Sequence, residues 1–245
     1  MTIELEVLYE DNHCLAVQKP AGLLSQGDRT GEPSMVEAAS HYLKTRYAKP
    51  GNVYVGLVHR LDRPVSGVML IARTSKAAAR LSEQFRSGAI AKVYWAIVEG
   101  TPATETGTWT DVITKDSRTN RAAAREELDT TGKRASVDYR ILDRSHGRTK
   151  IELKPHSGRS HQLRVQLASR GFPILGDIKY GSKVRLKALD GRLRIALHAR
   201  EITFTHPTRH EAITIVARVP ADWPEPLPGQ KDSGCSSSTP AAPRK

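Results

Sequence analysis

A single carboxylate stands between two arginines in the segment LVHRLDRPVSGVML, which covers residues 57–70. Guanidinium groups at Arg60 and Arg63 would keep the Asp62 carboxylate ionised, so it could not serve as a general acid near neutral pH. An ionised carboxylate can act as a nucleophile or as a general base. The alternative is structural, because an arginine–aspartate pair can also brace a tight turn. Taken alone, the segment favours this structural interpretation.

The elements around Asp62 should place it at a turn between two strands, predicted at 53–58 and 67–73. Ser34 and Glu37 form a capping box, which predicts a helix that ends before Pro50. An alanine-rich helix is predicted at 75–88 and closed by Gly88. Other apolar and alternating runs predict a helix at 159–171, closed by Gly171, and strands at 3–9, 13–19, 89–100, 134–144, 148–155, 195–199, 201–206 and 212–219.

Residues 101–130 have little sustained apolar periodicity, and KDSRTNRAAAREE (115–127) predicts an exposed, basic excursion. Residues 224–245 are a low-complexity segment that predicts a disordered tail after one domain at 1–223. Strands outnumber helices, and the helices do not alternate regularly with them. This order predicts an α+β fold with a mixed, mainly antiparallel sheet.

The composition favours a cytoplasmic protein that binds a polyanion. The 245 residues carry a net charge of +12, which should attract nucleic acid, although a basic surface without any partner is the alternative. No apolar run is long enough to span a membrane, and the N-terminus does not resemble a signal peptide. The cysteines, Cys14 and Cys235, do not suggest a disulfide framework, and no Cys/His set has zinc spacing.

Five motifs in sequence order resemble those of the RluA-type pseudouridine synthases. HRLDRPVSGVML is similar to the family signature H-R-L-D-x-x-T-S-G, and AIAKVYWAIVEG to its K-x-Y strand. HSGRSHQLRVQL resembles G-R-x-H-Q-[IL]-R, FPILGDIKYG resembles P-I-x-G-D-x-x-Y-G, and LHAREITFTHP resembles L-H-A-x-x-[LI]-x-F-x-H-P. The opening LYEDNHCLAVQKPAGLL also matches the first hairpin of the family, so the resemblance covers about residues 5–220.

The resemblance implies that Asp62 is the catalytic aspartate. It would break the glycosidic bond of a uridine that has left its stack, so that carbon 5 of the base can rejoin the ribose. Attack on the sugar, addition to the base and removal of a sugar proton all remain open, and all require an ionised carboxylate. The reaction is an isomerisation, and neither a cofactor nor a metal is expected.

The resemblance assigns four more residues to the site. Tyr94 would stack on the flipped uracil, although it could instead be a core aromatic; alternation puts Tyr94 and Trp95 on opposite faces. Arg164 would pair two-pronged with Asp62, or bind phosphate at the surface. Leu163 would form an apolar wall near the base. Arg60 would take the place of the flipped base, or contact a phosphate.

Three features depart from the family pattern. Val65 replaces a usual threonine, which we interpret as a packing variant. Gln166 replaces a common histidine and could alter RNA contact. The chain resembles a stand-alone catalytic domain without the S4 RNA-binding domain that many relatives carry, so its own surface must find the RNA.

Basic residues outside the motifs fall into two groups that could bind phosphates beside a cleft, although each could simply be solvated. They are Arg118, Arg121 and Arg125 on the excursion, and Lys179, Lys183, Arg185, Lys187, Arg192 and Arg194 near the fourth motif. His59, His161 and His198 are expected to be structural hydrogen-bonding residues.

The sequence therefore predicts a monomeric isomerase that acts on uridines in structured RNA, either ribosomal or transfer RNA. One rival is a catalytically inactive RNA-binding module on the same fold. The retained Asp62, Tyr94 and Arg164 argue against it, because a binder of anions gains nothing from a carboxylate. A nucleoside hydrolase is the second rival, and the high positive charge argues against a neutral small substrate.

Overall fold

The computed structural model describes residues 4–116, 121–125 and 132–224. The helices are α1 (Met35–Arg46), α2 (Ser75–Ser87) and α3 (Gln162–Ser169), with a 3₁₀ turn at Ile178–Tyr180. The strands are β1 (Val7–Glu10), β2 (Cys14–Lys19), β3 (Gly56–Leu57), β4 (Ser66–Ala72), β5 (Ala91–Glu99), β6 (Thr106–Asp116), β7 (Arg121–Arg125), β8 (Lys133–Ser145), β9 (Arg148–Pro155), β10 (Leu186–Lys187), β11 (Leu193–Arg194), β12 (Leu197–Thr205) and β13 (Ala212–Val216).

One mixed sheet organises the molecule, with strand order β1-β2-β4-β12-β5-β9-β8-β6-β7. Strand β3 pairs with β4, β13 pairs with β12, and β10 and β11 form a separate hairpin. Among the pairs of strands in the described ranges, only β12 with β4 is parallel. The predicted α+β fold with a mainly antiparallel sheet is confirmed. Within the same ranges, no helix has the length and apolarity that crossing a bilayer requires.

Alternation along the central strands divides the core into two layers. In β4, Val68 and Leu70 join the larger cluster, and Met69 and Ile71 join a smaller one that includes Met35 of α1. Successive side chains of a strand point to opposite faces, so both faces of β4 are covered. This agrees with the continuous apolar run of β4 that follows Ser66.

Local signals set the ends of α1 and α2 as predicted. Ser34 accepts a hydrogen bond from the Glu37 amide, and the Glu37 side chain accepts one from the Ser34 amide. Gly88 ends α2 in the left-handed conformation with φ 77°. These caps satisfy terminal backbone groups that have no partner inside the helix.

The segment that carries Asp62 is fixed where β4 meets β12. Gly67 has φ 125°, and a Cβ there would lie 2.3 Å from the carbonyl oxygen of Ala199. Only glycine allows this approach, so the close parallel contact depends on it. The fully buried Lys19 donates from Nζ to the carbonyls of Arg63, at 3.1 Å, and Val65, at 2.8 Å. The backbone just after Asp62 is therefore held from two sides.

Several predicted elements differ in extent from the structure, and the strands predicted at 195–199 and 201–206 form the single strand β12. The region 101–130 contains β6 and β7, because β6 is stabilised by pairing with β8 and by Trp109 stacked on Tyr139 with 4.0 Å between centroids. Its buried apolar run is too short to give a period. The strand predicted at 53–58 is reduced to β3. Helix α3 starts at Gln162 because His161 is left-handed. Residues 117–120, 126–131 and 225–245 lie outside the described ranges, so the predicted tail is described only at residue 224.

Candidate active site

A cleft of about 580 Å³ opens between the Asp62 segment, strand β5 and the loop that leads into α3. Among the described residues that line it, Asp62 is the one acidic side chain. The lining also includes five cations: Arg60, Arg86, Lys92, Arg159 and Arg164. The charge of the cleft therefore suits a polyanion, and Asp62 is the one negative side chain among its described lining residues.

Asp62 is ion-paired with a residue far away in sequence. Its Oδ2 lies 2.9 Å from Nη1 of Arg164, and its side chain is 30% exposed. The expectation that both sequence neighbours would flank the carboxylate is wrong for Arg63, which donates to the Gly22 carbonyl at 3.0 Å and pairs with Glu32. Arg60 is exposed and lines the cleft, where solvent screens the interaction of its charge with the Asp62 carboxylate.

Arg164 makes its two-pronged ion pair with Asp177, and this differs from the prediction. Nε and Nη2 donate to the two carboxylate oxygens of Asp177 at 2.7 and 2.8 Å, which leaves a single bond to Asp62. Burial alone would lower the pKa of Arg164, but Asp177 and then Asp62 raise it above its ordinary value. Arg164 is therefore a permanently charged bridge between two carboxylates.

Tyr94 lies in the cleft, and Trp95 lies on the other face of β5, as alternation predicts. Tyr94 lines the cleft with Leu163, which is 7% exposed. Burial raises the pKa of the Tyr94 hydroxyl, and the Asp62 charge raises it further, so the phenol stays protonated. Trp95 instead contacts two cations, with Lys150 4.3 Å and Arg200 4.6 Å from its ring centroid.

The three histidines that were expected to be structural, His59, His161 and His198, are all hydrogen-bonded. Nε2 of His59 accepts from the Leu70 amide at 2.8 Å, and Nδ1 of His198 lies 2.9 Å from the Ser66 hydroxyl. His161 is different, because its Nε2 lies 3.7 Å from Oδ2 of Asp62. It precedes α3 and does not share a helical face with Arg164, yet both side chains meet at the same carboxylate oxygen.

The predicted phosphate-binding residues are dispersed. Arg121 is exposed on β7 and close enough to Lys179 for their charges to interact, while Lys183 is exposed and outside the lining of the cleft. Arg118 and the side chain of Arg125 lie outside the described part of the chain.

Two further expectations about RNA contact are wrong. Arg194 is 2% exposed and pairs with Asp222. Gln166 is fully buried, and its amide donates to Asp111 at 2.6 Å. Both side chains are buried and bonded to a carboxylate within the protein, so neither can reach a phosphate. The buried Val65, which is 2% exposed, agrees with its interpretation as a packing variant.

Sequence reasoning missed Asp177 and Lys92 as parts of the site. Both stand inside the motifs that were recognised, and Asp177 is the aspartate of FPILGDIKYG. A charged residue with 1% side-chain exposure needs a partner, but its sequence does not say which one. Lys92 lines the cleft two residues before Tyr94, and burial lowers its pKa.

One group of side chains in the described part of the chain has the composition of a metal site, but its carboxylate and imidazole are already hydrogen-bonded. Ligand atoms of Asp11, Cys14 and His206 lie within 4.8 Å of one another. Nδ1 of His206 accepts from the Arg209 amide at 3.0 Å, so its Nε2 donates to Asp11 at 2.6 Å. Arg209 also contacts Asp11, at 3.2 Å. A cation at Asp11 would have to displace the contacts with both His206 and Arg209, so these residues fit a structural network.

Comparison with known proteins identifies the family of the chain. Residues 13–169 match the family described as RNA pseudouridylate synthase. The chain belongs to this family. Members isomerise uridine in RNA, so the chain is an isomerase, as the sequence predicts.

Two curated relatives resemble most of the chain. Ribosomal large subunit pseudouridine synthase D of Xylella fastidiosa is 37% identical over 230 residues, which are 90% of this chain and 67% of that protein. Dual-specificity RNA pseudouridine synthase RluA of Salmonella typhi is 37% identical over 220 residues, 89% of this chain and 94% of that protein. The solved structure of human RNA Pseudouridylate Synthase Domain Containing 4 has the same fold, with a TM-score of 0.72, 24% identity, and coverage of 88% of this chain and 89% of that one.

Proposed function

We propose that Asp62 is the catalytic residue of this pseudouridine synthase. The observation that carries the proposal is its place as the one described carboxylate in a cleft that is otherwise lined by cations. A binding surface for RNA has no use for a negative charge at this point, whereas every mechanism considered for the isomerisation requires it. The ion pair with Arg164 places a guanidinium nitrogen 2.9 Å from Oδ2 of Asp62.

Tyr94, Leu163 and Arg60 would hold the extruded nucleotide. Tyr94 and Leu163 line the same cleft as Asp62 and supply an aromatic and an aliphatic surface for a base. Stacking on an aromatic side chain contributes ~1–3 kcal/mol per base, which offsets part of the cost of unstacking. Arg60 is exposed at the cleft, where it can fill the gap in the RNA or bind a phosphate.

We propose that the substrate is ribosomal RNA of the large subunit. This follows the printed name of the Xylella fastidiosa relative, and the dual-specificity relative of Salmonella typhi makes a second RNA the competing outcome. Exposed Arg121 and Lys183, with Lys179 and Arg118, would contribute phosphate contacts. Mapping pseudouridines in ribosomal and transfer RNA from cells with and without the gene would identify the substrate. Loss of a pseudouridine only from transfer RNA would contradict the proposal.

The catalytic assignment is tested by Asp62→Asn, because the amide has nearly the same shape and carries no charge. We expect wild-type folding and RNA affinity with no detectable pseudouridine. The matched control is Asp190→Asn, which removes an exposed carboxylate whose partner Arg192 is also exposed. An Asp62→Asn enzyme that kept about a tenth of the wild-type rate, a loss of only ~1.4 kcal/mol, would contradict the assignment.

We also propose that residues 1–223 act as one catalytic domain, as a monomer in the cytoplasm. Cys14 is a buried free thiol, which suits a reducing compartment. Light scattering on the purified chain and fractionation of cells would test the oligomeric state and the location. A dimer, or recovery of the protein outside the cytoplasmic fraction, would contradict these proposals.

A further inference from the structure

The motif FPILGDIKYG places a second polar side chain beside the candidate site, and the proposed chemistry gives it no role. The hydroxyl of Tyr180 lies 2.9 Å from the Ala122 amide nitrogen on β7 and 2.7 Å from Nδ1 of His161. The ring of Tyr180 lies against Arg164, with 5.0 Å between its centroid and the guanidinium carbon. Tyr180 therefore joins an edge strand to two side chains that reach Asp62.

The direction of these hydrogen bonds follows from the donors present. A backbone amide can only donate, so the Tyr180 oxygen accepts from Ala122 and its own proton is free to donate to Nδ1 of His161. A neutral imidazole that accepts at Nδ1 carries its proton at Nε2. Nε2 of His161 is the atom 3.7 Å from Asp62.

The other tautomer of His161 would be unfavourable on both sides of the ring. It would leave the Tyr180 proton without its acceptor, and it would direct the Nε2 lone pair at the Asp62 carboxylate. Burial lowers the pKa of His161, although the Asp62 charge opposes this, so the ring is neutral near neutral pH. The neutral ring is the form in which the choice of tautomer matters.

The backbone conformation of His161 indicates that its imidazole must occupy a particular position. Its φ of 55° lies in the left-handed region, which is strained for a residue other than glycine. No side-chain hydrogen bond caps α3 at this residue, so capping does not account for the conformation. The conformation does bring the imidazole between Tyr180 and Asp62.

We propose that Tyr180 is a positioning residue that fixes the orientation and tautomer of His161, so that Nε2–H faces the carboxylate of Asp62. The inference rests on the proposed catalytic role of Asp62. The 3.7 Å separation is longer than a hydrogen bond, and catalytic contacts of this kind often shorten when the substrate binds. The same hydroxyl accepts a hydrogen bond from Ala122 of β7. Tyr180 therefore links this basic edge strand to His161, the side chain that faces the carboxylate.

The first test compares Tyr180→Phe with wild type in single-turnover assays at saturating RNA. The phenylalanine keeps the ring against Arg164 and removes only the hydroxyl. We expect the rate of pseudouridine formation to fall about tenfold, while the dissociation constant for RNA changes by less than about twofold. Tyr42→Phe is the matched control, because it removes a hydroxyl on helix α1 that donates to Glu10 of β1 at 2.8 Å. An equal loss in Tyr42→Phe, or an unchanged rate in Tyr180→Phe, would overturn the proposal.

The second test uses His161→Gln, whose amide can place an N–H donor near the position of Nε2 and has no tautomers. In this background, adding Tyr180→Phe should change the rate by less than about twofold, because two residues that act through one contact are not additive. If Tyr180→Phe slowed His161→Gln as much as wild type, the hydroxyl would act on another group and the proposal would fail.

Nitrogen-15 NMR of the histidine ring measures the tautomer directly. We expect the His161 signals, assigned by their loss in His161→Gln, to show Nε2–H in the free wild-type enzyme and a mixture of tautomers in Tyr180→Phe. Nδ1–H in the wild type would overturn the proposal. This readout does not require activity, so it stands apart from the Asp62→Asn test: activity retained in Asp62→Asn would remove the catalytic role and leave the tautomer result unaffected.

Discussion

Replacing Asp177 with asparagine should remove the negative charge from the two-pronged partner of Arg164 while it keeps the shape of the side chain. The side chains of Arg164 and Asp177 are 6% and 1% exposed, so water cannot replace the lost interaction. Arg164 would then have one carboxylate, Asp62, in place of two. We expect the guanidinium to hold Asp62 more tightly and to restrict its access to the nucleotide.

The size of the effect follows from the geometry. Two unit charges about 4 Å apart interact by ~4 kcal/mol at an effective dielectric constant of ~20. The amide oxygen of asparagine recovers ~1 kcal/mol as a neutral acceptor, and one fewer buried charge reduces the loss further. We expect a net destabilisation of ~2–3 kcal/mol, which corresponds to a fall in Tm of ~5–10 °C for a chain of this size.

Thermal unfolding and single-turnover pseudouridine formation measure the two consequences separately. We expect Asp177→Asn to lower Tm as calculated and to slow the reaction at least about tenfold, or ~1.4 kcal/mol, at temperatures where it stays folded. Asp190→Asn is the control, because its exposed ion pair with Arg192 should contribute less than ~1 kcal/mol. If Asp177→Asn had the Tm and the rate of wild type, the buried bridge would not exist as described.

Three other outcomes are expected. Arg164→Lys should retain only part of the stability and activity, because an ammonium cannot make the two-pronged bond. Arg164→Ala should retain less of each, and thermal unfolding and turnover assays measure both properties. Changing Arg118, Arg121 and Arg125 together to serine should flatten the salt dependence of RNA binding, by ~0.7–0.9 log units per log unit of salt for each lost phosphate contact, and spare turnover at saturating RNA. Burial lowers the pKa of His198 from 6.5 to about 4. The unfolded state therefore binds a proton that the folded state does not, and the free energy of unfolding should fall by ~1.5 kcal/mol from pH 6.5 to 5. Denaturant titrations should find a smaller fall over this pH range in His198→Phe.

Structural features that depend on interactions between near neighbours in the chain were predicted from the sequence. The capping box of Ser34 and Glu37 and the left-handed Gly88 act through hydrogen bonds within a few residues, so the sequence predicts them. Alternation along β5 placed Tyr94 and Trp95 on opposite faces for the same reason. Strand β6 was missed because its stability comes from pairing with β8 and not from a period of its own.

The chemistry-bearing residues divide in the same way. The sequence alone determined that Asp62, Tyr94 and Arg164 belong to one family pattern, because their motifs stand in the family order. Only the tertiary structure decided that Arg164, 102 residues from Asp62, divides its guanidinium between that carboxylate and Asp177. It likewise decided that Arg194 is buried and Arg63 turned away. A charge is visible in the sequence, but its partner and its solvation depend on which distant segments the sheet brings together, because electrostatic energy depends on distance and burial and not on separation along the chain.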